Sequence, residues 1–187
     1  MVATSTKHQP NQFISTIDAA FIRSPQKIDW LLIAADDDQM LRALSSAVAG
    51  ESVAVVRVSQ ADWVHRFAEL AAAIEYALEV GAIRSLILAA NSTFVEVDSD
   101  SRITSKRTSK ITLQTENKPF VGAWQHNSGN LPRMKNFATC VQQLRNLPAV
   151  KNCILRNHLV VCGLFFREES GLFIAYDAQE DLFQPLI

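Results

Sequence analysis

Residues 30–38 read Trp-Leu-Leu-Ile-Ala-Ala-Asp-Asp-Asp, and this stretch decides the fold class. Six apolar residues in a row have the length of a buried strand, and the abrupt change to three carboxylates marks where the chain leaves the core. Behind it Met40, Leu41, Leu44, Ala47 and Val48 recur at helical spacing, with Asp38 placed as the N-cap and Gly50 as the stop. The alternation then repeats. Residues 52–58 are a β-branched run, and Ser59-Gln60-Ala61-Asp62 opens a long helix with Trp63, Phe67, Leu70, Ile74 and Ala77 on one face. Gly81 closes that helix, and a third apolar run, 83–90, ends at Asn91-Ser92-Thr93. Strand, helix, strand, helix, strand with short links predicts right-handed crossovers on a parallel sheet.

Farther along, residues 98–118 turn to Ser, Thr and mixed charge, the composition of an exposed loop. Helical spacing returns at 134–147 through Phe137, Val141 and Leu144, stops before Pro148, and resumes in a shorter helix at 150–157. Three strands follow at 158–166, 172–176 and 182–183. The turn Glu168-Glu169-Ser170-Gly171 is too short for a crossover, so these strands form an antiparallel hairpin at the sheet edge. The expected class is α/β: a parallel central sheet with crossover helices and a C-terminal antiparallel edge hairpin. The expected organisation is an N-terminal helical arm over 1–28 and one domain over 29–187 with a polar insertion around 98–133.

Composition narrows the function classes. With 187 residues, 48% of them hydrophobic, the chain is large enough for one well-filled core, which excludes a disordered tail or a disulfide-stapled miniprotein. Eighteen Lys and Arg against 19 Asp and Glu leave a net charge of -1, which argues against general binding to nucleic acid or membrane surfaces. No apolar run reaches the roughly 18 residues of a membrane span, since Arg84 interrupts the middle stretch. Residues 1–12 are polar and lack the apolar centre of a secretory signal. Three cysteines, an odd and sparse set, fit a reducing compartment, and a cytoplasmic protein is expected.

Ligands of open parallel sheets bind beyond the carboxyl ends of the strands. Those ends carry Asp36, Asp37 and Asp38, then Ser59 and Gln60, then Asn91, Ser92 and Thr93. Each has a plain structural duty as helix cap or turn residue. Three adjacent carboxylates repel one another, however, and their oxygens suit a hard cation such as Mg or Ca. An acidic cluster after a first strand also opens receiver domains and haloacid-dehalogenase-type phosphatases. The former need an Asp at the third strand end, where this chain has Ala90-Asn91-Ser92, and in the latter a small hydroxyl residue follows, where this chain has Gln39-Met40-Leu41. The basic loop of Arg102, Lys106, Arg107 and Lys110 is read as a solvated segment able to meet an anion or acidic partner.

The order of segments matches another family more closely. Residues 31–40, 50–57 with Gly50-Glu51 and Val56-Arg57, Glu75-Tyr76-Ala77, and the strand 83–90 follow one another as in the β-class carbonic anhydrases, which the chain resembles over about 29–97 and 134–187. The C-terminal part agrees best, through Leu144-Arg145-Asn146-Leu147-Pro148-Ala149-Val150 and the hairpin around Val161-Cys162-Gly163 and Ile174-Ala175-Tyr176. The resemblance implies zinc held by a Cys-x-Asp-x-Arg strand end and a His-x-x-Cys strand end. On the first motif this chain reads Ala35, Asp37 and Gln39. On the second it reads Ala90 to Thr93, or Asn91 to Phe94 in the alternative register.

The family activates water with zinc, whose bound water ionises near a pKa of about 7. With every ligand but Asp37 replaced, the resemblance implies a homologue that lacks the zinc site and does not hydrate CO2, a binding or regulatory protein with no metal cofactor. Asp37 is the candidate catalytic residue, and Asp36, Asp38, Gln39, Ser59, Asn91 and Ser92 are candidate ligand-binding residues for a small molecule or anion. Two alternatives stand beside this reading: an enzyme of altered chemistry using the acidic cluster with a divalent cation, and a scaffold that pairs with an active paralogue. Family dimers imply a homodimer or higher even oligomer, with residues 13–22 as the swapped arm. The remaining thiols and imidazoles do not rebuild a site: His158 and Cys162, four residues apart on a strand, are separated by roughly 13 Å. Cys153 and Cys162 are read as buried small hydrophobes, and His65 and His126 as surface residues.

Overall fold

The computed structural model describes residues 11–23, 28–47, 52–94 and 131–186. Helix α1 (Gln12–Arg23) precedes strand β1 (Trp30–Ala35), helix α2 (Asp38–Ala47) and strand β2 (Val53–Val58). Then come α3 (Gln60–His65), α4 (Phe67–Val80), β3 (Ser85–Asn91), α5 (Leu131–Arg145), α6 (Pro148–Leu155), β4 (Val160–Arg167), β5 (Leu172–Asp177) and β6 (Leu182–Pro185). One six-stranded sheet has the order β2-β1-β3-β4-β5-β6. β1 pairs parallel with β2 and β3, and β3 with β4, while β5 and β6 join antiparallel. The α/β class, the parallel centre and the antiparallel edge are those expected. The expected loop at 98–118, Gly50 and His126 lie outside the described residues.

Handedness decides what lies on each face. The chain moves one way from β1 to β2 and the opposite way from β2 to β3 and β3 to β4. Right-handed crossovers therefore put α2 on one face and α3 to α6 on the other. Buried on both sides, β1 and β3 have the near-continuous apolar sequences that made them recognisable. On the α5 face, Gly163 of β4 lies under Phe137 and Val141, and Phe137 packs edge-on against Phe165 at 5.4 Å.

Several local readings are corrected. Asp37, not Asp38, closes the start of α2: its Oδ1 accepts from the Met40 amide at 2.6 Å and its carbonyl from Leu41 at 2.9 Å. The expected single helix after Ser59 breaks at Arg66, whose guanidinium holds Asp62 at 3.1 Å and Glu69 at 2.7 Å and lies over the Phe13 ring. Pro148 opens α6 as well as ending the preceding helix, since a proline in the first turn gives up no needed donor. The expected arm is helical over Gln12–Arg23, with Phe13 and Ile17 buried and Asn11 Nδ2 donating to the Glu69 carbonyl at 2.9 Å. Among the described residues no helix is long and apolar enough to cross a membrane.

Candidate functional site

The carboxyl ends of β1, β2 and β3 present two different surfaces, one on each face of the sheet. β1 and β3 pair Ala34 with Ala89, so Ala35 and Ala90, one step farther, stand level on adjacent strands. Ala35 also pairs with Val58 of β2, and Ala90 with Phe165 of β4. Val58, Ala35, Ala90 and Phe165 thus form a row of hydrocarbon side chains, all within 3% exposure. Beside it Phe94, in the turn after β3, packs edge-on against Trp63 of α3 at 5.6 Å, and Trp63 Nε1 donates to Gln143 Oε1 of α5 at 3.1 Å.

On the α2 face the strand ends are polar. Asn91, the last residue of β3, is the one buried polar residue among those described. Its Nδ2 donates to Asp37 Oδ2 at 3.3 Å, while its Oδ1 accepts from Thr93 Oγ1 at 2.9 Å and from the Phe94 amide at 3.1 Å. Since Asp37 Oδ1 is taken by the Met40 amide, both carboxylate oxygens already have protein partners. Asp37 and Asn91 are therefore brought together as the strand-end argument anticipated.

The other candidates scatter around this pair. Asp36 is exposed and meets Arg57 at 3.8 Å, and Asp38 and Gln39 are exposed on the first turn of α2. Ser92 donates to Glu168 Oε1 at 2.9 Å. Ser59 is turned into α3: its hydroxyl accepts from the Asp62 amide at 3.1 Å and its own amide donates to Asp62 Oδ2, a reciprocal cap. The Ser59 hydroxyl also donates to Asp62 Oδ2 at 2.7 Å, and this bond chiefly holds the Asp62 carboxyl below its ordinary range, against a smaller opposing effect of burial. Thr93, Phe94 and Trp63 complete the neighbourhood and were not among the site residues expected. Among the described residues no three His, Cys, Asp or Glu side chains are grouped so as to hold a metal ion.

No family model and no curated protein matches the sequence. Solved structures do match. The β-carbonic anhydrase CcaA aligns with 94% of this chain and 85% of its own, with a TM-score of 0.57 and 19% identity. The fold is that of the β-carbonic anhydrases. One of two tetrameric β-carbonic anhydrases from the filamentous ascomycete Sordaria macrospora covers 90% of this chain and 87% of its own, at a TM-score of 0.50 and 16% identity. Within the β-carbonic-anhydrase fold, the first strand end carries Ala35 and Asp37, and the third carries Ala90, Asn91 and Thr93.

Proposed function

We propose that this chain is a β-carbonic-anhydrase-fold protein without the zinc site, a binding or regulatory homologue and not a catalyst of CO2 hydration. The observation that carries the reading is the level placement of Ala35 and Ala90 in a buried apolar row. It favours the register in which Ala35, Ala90 and Thr93 stand at the zinc-ligand positions of the family. Zinc requires three or four nitrogen, sulfur or oxygen donors. Two methyl groups and a threonine hydroxyl engaged with Asn91 do not supply them, which leaves Asp37 as a lone carboxylate donor, itself hydrogen-bonded to Met40 and Asn91. The residues present do not fit the metal.

A binding role then falls to the rim formed by the exposed Asp36, Asp38 and Gln39 with the half-buried Ser92, not to the bonded Asp37–Asn91 pair. The same reading retains an arm over 1–28 and a domain over 29–187, and assembly as a homodimer or higher even oligomer, in keeping with a tetrameric neighbour of this fold. Elemental analysis of the purified full chain, together with stopped-flow CO2 hydration, tests the proposal. Substoichiometric zinc and a rate at buffer background are expected; one zinc per chain with a rate well above background would overturn it.

A further inference from the structure

We propose that Asn91 is a positioning residue that clamps the end of β1 to the turn after β3, performing with one amide the structural part of what a bridging metal would do. The inference rests on the zinc-free reading of the site. A continuous path of hydrogen bonds runs from the Met40 amide on α2 to Asp37, from Asp37 to Asn91 Nδ2, and from Asn91 Oδ1 to Thr93 and the Phe94 amide. It joins segments 54 residues apart in sequence. Phe94, fixed at its far end, packs against Trp63 and so carries the tie to α3 on the opposite face.

An amide serves both ends of this path with two separate atoms, a donor nitrogen toward the carboxylate and an acceptor oxygen toward the turn. An aspartate at 91 would face Asp37 with like charge. An apolar residue would leave the buried Phe94 amide without its partner, which costs more than the bond itself contributes. Asn91 is 2% exposed, so both contacts lie away from bulk solvent.

Reversal of the pair tests the clamp. Urea unfolding is measured in EDTA for the wild type, N91D, D37N and D37N/N91D. N91D should lower the folding equilibrium constant about tenfold or more at pH about 8, and by less at pH about 5, where one of two facing carboxyls takes up a proton. D37N/N91D again offers one amide and one carboxylate, so it should recover most of that loss. A double variant as unstable as the sum of the two single ones would overturn the clamp. Should N91D fail to fold, the double variant decides alone: it folds if the two side chains act as a pair and fails likewise if they do not. Stoichiometric zinc in a wild type whose reversed pair still rescues would overturn the zinc-free reading and leave the clamp standing. Absence of rescue in zinc-free protein would overturn the clamp alone.

Discussion

The Tyr76 hydroxyl on α4 donates to Asp18 Oδ1 on α1 at 2.5 Å, fastening the N-terminal helix to its own chain by a charge-assisted bond. The buried Phe13 and Ile17 supply the apolar contact, and the Tyr76–Asp18 and Asn11–Glu69 bonds fix where the helix sits along α4. The bond favours the protonated phenol, because ionising it would set two negative oxygens against each other.

A titration of phenolate absorbance should show this directly. The chain has two tyrosines. Asp18 raises the Tyr76 hydroxyl above its ordinary value, and burial, helped by the bond to Asp181, pushes Tyr176 up to about 12. Asp18→Asn should bring Tyr76 back toward the ordinary range near 10 and leave Tyr176 high. Two phenols titrating together in the ordinary range of the folded wild type would contradict the docking of α1 against α4.

The reciprocal cap at Ser59 predicts a loss that depends on pH. Ser59→Ala removes a helix cap and should cost about 1 kcal/mol at neutral pH. Asp62, held below its unfolded value mainly by Ser59, contributes stability that is fully present above the unfolded carboxylate range and lost as pH falls through the folded value. The gap between wild type and Ser59→Ala should therefore narrow on acidification below pH about 4. Urea unfolding across that range checks it; a gap that is constant or widens in acid would exclude Asp62 as the linked group.

Much of the fold was legible because burial on both faces writes itself into β1 and β3 as uninterrupted apolar runs. The break at Arg66 was not, since the spacing from Trp63 to Ala77 continues through it and the Arg66 guanidinium lies over Phe13, more than 50 residues away in sequence. Which of three adjacent aspartates caps α2 was equally hidden: Asp36, Asp37 and Asp38 are alike in sequence, and only the path of the chain leaving β1 selects Asp37. The strand ends singled out Asp37 and Asn91 as candidates, but their pairing depends on register, and so does the level placement of Ala35 and Ala90.

Thiol chemistry offers a third check. Burial pushes both Cys140 and Cys162 up to about 11, and Asp177 adds to the effect at Cys162. At pH about 8 both should remain protonated and react slowly with a disulfide reagent, because the thiolate is the nucleophile. Unfolding in urea should release both. Rapid reaction of all three native cysteines would show that α5 and β4 do not protect these groups.

Gly163 sets how closely α5 approaches the sheet. A methyl group added there would lie 2.6 Å from Phe137 Cε1 and 2.8 Å from Val141 Cγ2, well inside contact distance. Because Phe137 is fully buried and also packs on Phe165, Tyr176 and Phe183, it cannot swing aside without disturbing the C-terminal hairpin. Gly163→Ala should therefore cost about 1–3 kcal/mol by overpacking. Phe137→Leu alone should also destabilise, by leaving its three aromatic neighbours underpacked. In combination the smaller side chain makes room for the methyl group, so the double variant should lose less than the sum of the two. Additive losses in chemical unfolding would mean that the Gly163 methyl is accommodated by movement of the strand, not by the space that Phe137 vacates.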